Sequence, residues 1–229
     1  MYKKNKISLI MPCYNEEVGL VEILKKVPYF FDEVIVVDNG SEDGTSKIAE
    51  AFGAKVIFEA KKGYGQAYKS GFSASSGDII VAMDGDNSYP IEEAEKLISF
   101  LIVNNLDFVS GCRFPLKEKE AMNFLNRIGN WLLTLFFFLA TFKKIKDSQS
   151  GMWVFKRSIL EKMQLQNTGM GFSEEIKMEA LLNPEIKFAE EYIFYKNRLG
   201  EVKLKKWKDG FSNLIFLFLK RLEILFRKK

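Results

Sequence analysis

The chain has 229 residues, 34 Lys/Arg against 30 Asp/Glu, two cysteines and no histidine. Lack of histidine excludes a Ser-His-Asp or Cys-His nucleophile and an imidazole base, and Cys13 and Cys112 lie too far apart for a CxxC zinc or dithiol motif, which points to a reducing compartment. The net +4 is uneven: residues 203–229 carry nine Lys/Arg against two acidic residues, leaving the remainder at −3, so a uniformly basic nucleic-acid binder is excluded.

The first residues, MYKKNKISLIMPCYNEE, run from lysines into a strand pattern without a cleavage-type site, so no secretory signal is expected. Strands are expected at Ile7–Met11, Glu33–Asp38, Lys55–Phe58, Ile79–Asp84 and Phe108–Gly111. Helices fit between them at Glu17–Lys26, Thr45–Phe52, Gln66–Ser75 and Ile91–Asn104. Runs such as VIVV and IIVAM suit strands buried on both faces of a parallel sheet. The pattern predicts a doubly wound α/β domain with ligands beyond the carboxyl ends of its strands.

After Arg113 the pattern changes. Residues 123–142 read as a long helix whose apolar run, Trp131–Phe142, has 12 residues, short of the ~20 that span a bilayer. Residues 152–193 mix strand and helix. Trp207–Phe226 is amphipathic: Phe211, Leu214, Ile215, Phe218, Leu219, Leu222, Leu225 and Phe226 recur at helical spacing, with Lys220, Glu223 and Arg227 on the other side. Two readings stand for that face, core packing or a helix lying in a membrane interface with its lysines at anionic headgroups.

Chemistry-bearing residues follow the expected strands: Pro12-Cys13-Tyr14-Asn15-Glu16, then Asp38-Asn39-Gly40-Ser41, then Asp84-Gly85-Asp86. Each alone is a turn and helix start; three at one sheet edge converge on one crevice. Asp84 and Asp86 can place hard oxygen ligands around Mg²⁺ or Mn²⁺, and such a cation can also take diphosphate oxygens. Lys61-Lys62-Gly63-Tyr64-Gly65 precedes a helix, so its backbone N–H groups and lysines could face an anion, or the segment is simply a flexible glycine loop. It matches neither the P-loop nor the dinucleotide fingerprint.

PCYNEE, VVDNGSEDGT, KGYGQAYKSGF, MDGDNSYP and SGCRF occur in order over Ile7–Phe114, and together they resemble a family-two glycosyltransferase of the glycosyltransferase A fold. NRIGN (126–130), DSQSGMWVF (147–155), GMGFSEEI (169–176) and RLGEVKL (198–204) narrow the resemblance to the polyprenyl-phosphate hexosyltransferases, the dolichyl- or undecaprenyl-phosphate sugar synthases. That resemblance implies nucleotide contacts from Pro12, Tyr14, Glu16 and Asp38, and metal and diphosphate held by Asp84 and Asp86. It further implies acceptor-phosphate contacts from Arg113, Arg127, Arg198 and Lys203. Two positions depart from it: Ser88 stands where some relatives have a metal-site glutamine, and Val202 replaces the serine of an RxGxSK motif. Glu175 is expected either to bind a sugar hydroxyl or orient an arginine, or to serve as a helix-start carboxylate.

The expected organisation is a catalytic domain over 1–200, with a nucleotide-sugar half (1–114) and an acceptor half (115–200), and a basic amphipathic tail over 201–229. The expected partners are a nucleotide sugar, with UDP favoured by resemblance, a polyprenyl phosphate, and the cytoplasmic face of a membrane as a peripheral protein; an oligomer is left open. A lipid monophosphate suits a histidine-free enzyme because it arrives ionised, with a second pKa of about 6. It needs orientation and charge stabilisation rather than a base. The rival readings are a family-two transferase with a hydroxyl acceptor, a sugar-nucleotide pyrophosphorylase and a non-enzymatic scaffold.

Overall fold

Four parallel strands form from short apolar runs: β1 (Ile7–Cys13), β2 (Glu33–Asp38), β3 (Lys55–Phe58) and β4 (Ile79–Ala82); β1 and β4 alternate their side chains between two buried faces, while β3 at the sheet edge stays partly exposed. Along β1, Ile7, Leu9, Met11 and Cys13 enter one hydrophobic cluster and Ile10 enters another on the opposite face. The computed structural model describes residues 5–201 and 206–227, except the side chains of 206–215 and 227. Val202 and Lys203 therefore lie outside the described residues.

Helices α1 (Glu17–Leu24), α2 (Thr45–Ala51), α3 (Tyr64–Ala74) and α4 (Glu93–Val103) connect these strands and lead to β5 (Phe108–Cys112). Then come α5 (Phe124–Thr141), β6 (Trp153–Lys156), α6 (Phe172–Leu182), β7 (Phe188–Tyr192) and α7 (Lys206–Arg227). The sheet has seven strands in the order β3-β2-β1-β4-β6-β5-β7. β6 runs antiparallel to β4 and β5; the other pairs are parallel. One sheet thus joins 1–114 to 115–200, with β6 inserted between β4 and β5. Chain order reverses between β1 and β4, and their carboxyl ends define the switch-point crevice of an α/β sheet.

Strands β2 and β3 have the bounds expected from sequence. β4 stops at Ala82, two residues before the expected Asp84, because the chain turns there to carry the carboxylates out of the sheet. Below the crevice, Tyr68, Trp153 and Phe172 meet across α3, β6 and α6, with Tyr68 and Phe172 stacked at 5.8 Å between centroids. This aromatic packing sets the first turn of α3 beside the first turn of α6.

A third cluster joins α5, α6 and α7 through Phe137, Ala140, Met178, Leu217 and Ile224. It corrects the expected orientation of the last helix. Lys220, expected on the polar side, is 1% exposed and packs inward between Leu217 and Ile224. Phe218, Leu219, Leu222, Leu225 and Phe226 face outward instead. Helical geometry forces this exchange: 217, 220 and 224 share one face, so seating Leu217 and Ile224 also buries Lys220. α5 is amphipathic too, with Phe124, Leu125, Ile128, Trp131, Leu132, Leu135 and Leu139 exposed. Its 18 residues, about 27 Å at 1.5 Å per residue, make it the one helix among those described that is long and apolar enough to cross a membrane.

Candidate active site

The carboxyl ends of β1, β2 and β4 deliver three turns to one crevice. After β1, Asn15 adopts a left-handed conformation (φ 53°), and its side chain accepts from Glu42 N–H at 2.7 Å while its own N–H donates to Ser41 Oγ at 2.9 Å. Asparagine tolerates that backbone region better than most residues. Asp38 closes the β2 turn, accepting from Ser41 N–H at 2.8 Å and from the Ser46 hydroxyl. Tyr14 lies under the Lys62 ammonium, 4.6 Å from the ring centroid. A cleft of about 610 Å³ opens here, lined among others by Tyr14, Glu16, Glu17, Asp43, Gly200 and Glu201.

After β4, Asp84 sits partly accessible on the crevice floor and accepts from the Tyr64 hydroxyl at 2.9 Å. Burial, then the nearby Asp86 carboxylate, push its carboxyl up to about 7. Asp86 is held by Ser88, whose N–H and hydroxyl reach Oδ1 at 2.9 and 2.6 Å. The residue standing where relatives carry glutamine thus orients a carboxylate.

Arg198 bridges the two turns, with Nη2 2.8 Å from Glu16 Oε1 and Nη1 3.3 Å from Asp86 Oδ2. Its Nε is a buried donor with no acceptor among the described residues. Backbone bonds from Leu199 to Asp86 (2.9 Å) and from Lys196 to Ser88 (3.0 Å) strap this segment onto the β4 turn.

Arg113, following β5, is 6% exposed and held by a fork of bonds. Nε reaches Asp147 Oδ2 at 2.7 Å, while Nη2 reaches Asp147 Oδ1 at 2.8 Å and Asn130 Oδ1 at 2.7 Å. Burial opposes its charge, but Asp147 outweighs that and keeps the guanidinium well above its ordinary range. The Tyr195 ring lies 5.2 Å from the guanidinium carbon. Arg127 is exposed on the first turns of α5, one turn before Asn130, so the helix carries it toward the same side.

Two expectations need correction. The glycine N–H groups of the Lys61–Gly65 loop are taken within the protein rather than offered to an anion: Gly63 N–H donates to Asn39 Oδ1 at 2.7 Å and Gly65 N–H to Gly169 O at 3.2 Å, followed by Gln66 N–H to Thr168 O at 3.0 Å. The glycines serve close approach, since a Cβ on Gly65 would stand 2.5 Å from Asn167 O and one on Gly63 2.3 Å from Thr168 O. Glu175 does not face a sugar site. It is fully buried, accepts from Gln166 and Asn167 N–H at 3.0 and 2.9 Å, and pairs with Lys220 at 3.0 Å.

Its neighbour Glu174 takes the bond from Gln149 Nε2 at 2.7 Å on the segment that passes Asp84. Asp147, Gln149, Glu174 and Tyr64 were not singled out from sequence. All four lie in motifs named above, but only the folded chain shows which of their polar residues point inward.

The residues fit a divalent cation. Among the described residues no group of three or more His, Cys, Asp and Glu forms a metal cage. A carboxylate pair in which one charge is disfavoured by burial suits a hard ion that keeps water and substrate phosphate as its other ligands.

The mostly parallel seven-stranded sheet, with one strand inserted antiparallel and the crevice at its switch point, is the glycosyltransferase A fold. The solved structure of glucosyl-3-phosphoglycerate synthase from Mycobacterium tuberculosis with Mn²⁺, UDP and product has that fold in common, with a TM-score of 0.73 over 96% of this chain and 80% of that one, at 21% identity. The family model described as glycosyl transferase family 2 matches residues 8–164, and the chain belongs to that family. It is 34% identical to the dolichyl-phosphate hexose transferase of Haloferax volcanii, over 91% of each chain. It is also 34% identical to the low-salt glycan biosynthesis hexosyltransferase of that organism, over 93% of this chain and 53% of the relative. A dolichol-phosphate mannosyltransferase of Pyrococcus furiosus is 29% identical over 87% of this chain and 59% of its own length. The chain thus spans little more than half of two of these three relatives.

Proposed function

We propose that the chain transfers a hexosyl or N-acetylhexosaminyl group from a UDP-sugar to a polyprenyl phosphate, with inversion and with Mg²⁺ or Mn²⁺. The observation that carries this reading is a carboxylate pair, Asp84 and Asp86, with the Arg198 guanidinium 3.3 Å from Asp86 and the Arg113 charge near enough to act on Asp84, in a chain without histidine. The relatives named for dolichyl phosphate support the acceptor, and the UDP-bound fold neighbour agrees with the donor.

Arg113, fixed by Asp147 and Asn130, and Arg198, whose buried Nε has no acceptor among the described residues, would receive the acceptor phosphate, with Arg127 and Lys203 joining them. One acceptor phosphate oxygen bonds to the anomeric carbon as the bond from that carbon to the donor diphosphate breaks. The nucleophile arrives ionised, so no side chain takes a proton. Pro12, Tyr14, Glu16 and Asp38 shape the nucleotide side. A divalent cation held by Asp84 and Asp86 would offset the charge of the departing nucleoside diphosphate.

The test is a donor panel with a short polyprenyl phosphate and either cation, reading glycolipid and released nucleotide. UDP-sugar-dependent, cation-dependent glycolipid is expected. Transfer to a glycan hydroxyl but not to the lipid phosphate would replace this reading with the alternative acceptor.

The reading extends to peripheral binding at the cytoplasmic face of a membrane. The outward apolar stripes of α5 and α7 lie on packed helices, with Phe136 of one meeting Phe218 of the other at 6.4 Å. Phe142, Lys143 and Lys144 are exposed just past α5, where lysines can meet anionic headgroups. Because α7 closes the third cluster, surface substitutions are more informative than its removal. Trp131→Ser with Leu135→Ser is expected to weaken sedimentation with anionic vesicles by about tenfold or more, from the apolar area lost, and to leave nucleotide affinity unchanged. Undiminished vesicle binding would count against a membrane role for α5.

A further inference from the structure

Outside the crevice, Lys220 is a buried ammonium held by three carboxylates. Its ammonium lies 3.0 Å from Glu175, 2.9 Å from Glu179 and 3.2 Å from Glu223, and donates to Gln164 O at 2.7 Å. A buried lysine brought in among aliphatic neighbours is costly unless its protons are all received, and here four oxygens surround three protons. The two inner carboxylates have a second task. Glu179 accepts from Gln164 N–H at 3.2 Å, and Glu175 accepts from Gln166 and Asn167 N–H. Lys220 and its partners therefore clamp the segment 164–167 through backbone groups, whatever its side chains are.

That segment continues directly into contact with the donor side. Thr168 O and Gly169 O receive the N–H groups of Gln66 and Gly65 in the first turn of α3. With only hydrogen at the α-carbons of Gly63 and Gly65, backbone rests on backbone, and no side chain is present to absorb a shift. Tyr64 begins that turn, and its hydroxyl binds Asp84. The contacts form one unbroken chain from α7 to the crevice floor.

We propose that Lys220 is a positioning residue for Asp84, acting through Glu175, the 166–169 backbone and Tyr64. This rests on the reading of Asp84 as a holder of the cation and donor diphosphate. When Lys220 is in place, it bonds both glutamates, their carboxylates hold the N–H groups of segment 164–167, and the Tyr64 hydroxyl is fixed over Asp84. Without it, two buried carboxylates face each other without a counter-charge, and they turn outward, releasing the segment. The outward apolar face of α7 thereby connects mechanically to the donor side.

The test compares Lys220→Met with Leu217→Ala in the full chain. Both variants loosen α7, but Leu217 lies in the third cluster and has no part in the ion group. Amide hydrogen exchange at Gly65 and Gln66 reads the relay without reference to turnover. Lys220→Met is expected to speed that exchange at least tenfold and to raise the Mn²⁺ and donor concentrations for half-maximal rate several-fold. Leu217→Ala is expected to lower the thermal midpoint while leaving both unchanged. Equal exchange at Gly65 and Gln66 in Lys220→Met and the parent protein overturns the proposal, and so does an equal rise in both variants. Faster exchange in Lys220→Met alone, with no cation-dependent turnover even in the parent, upholds the mechanical link and instead removes the assignment of Asp84.

Discussion

Asp84→Asn is expected to reduce cation-dependent turnover by about 10³-fold, since the charge stabilisation supplied at a metal site amounts to several kcal/mol and each 1.4 kcal/mol is a factor of ten. The same change is expected to stabilise the cation-free fold at neutral and higher pH. Burial and Asp86 raise the Asp84 carboxyl to about 7, so between its unfolded range and 7 the folded chain binds the extra proton. Stability attributable to Asp84 is therefore greatest at low pH and falls as pH rises toward 7. Asparagine removes that fall because it carries no charge. Thermal melts of both proteins in chelator from pH 4 to 8 should separate as pH rises, with the variant above. Retained full turnover, or a variant melting below the parent at pH 8, would contradict this account.

Asp147→Ala is expected to be the more damaging change to the fold. Asp147 is fully buried and supplies both oxygens to Arg113, which keeps its charge under every accessible condition. Lys177 lies close by, fully buried, donating to Ser148 O at 2.5 Å and to Ser173 Oγ at 3.2 Å, so a second cation loses the strongest of its counter-charges, with Glu174 and Glu190 remaining. Breaking a buried pair from one side costs about 3–5 kcal/mol, a large part of the ~5–15 kcal/mol that holds a domain folded. For a chain of this size a thermal midpoint about 6–20 °C lower follows. Asp147→Asn, which retains one acceptor and the shape, should lose less. If Asp147→Ala unfolds by denaturant with an unchanged midpoint, the buried pair is not holding this half of the sheet. Any Asp147→Ala protein that folds should also show a weakened acceptor KM, because Arg113 has lost the fork that aims it.

Much of the first half was legible because its signals are local. VIVV and IIVAM are too apolar and too short for anything but strands buried on both faces, and β2 and β3 end where their turn residues begin. The crevice was legible for the same reason, since strand ends in such a sheet converge and the polar turns could be read beside them. In the second half the decisive contacts are distant in sequence. β6, only four residues long, pairs with β4 across more than seventy positions of chain, and WVFK alone does not show that it runs antiparallel. Glu174 and Glu175 are adjacent and chemically alike, yet one receives Gln149 and the other Lys220. Their helix packs with both sides covered, and periodicity cannot divide two neighbours between two buried surfaces.

The sequence by itself determined the α/β class, the order of the first elements, the acidic pair after β4 and the concentration of positive charge in the last residues. Those depend on composition and on spacing within a few residues, which the backbone translates directly into faces and turns. Tertiary packing alone decided that the glycine N–H groups of the loop are spent on Asn39 and Gly169, and that Glu175 is held by a lysine 45 residues further along. It also decided which side of α7 faces in. Two opposite stripes were available, and the ion group offered by α6 made the one bearing Lys220 the buried side. An amphipathic pattern gives the period of a helix, but which face is covered depends on the partners the fold brings to it.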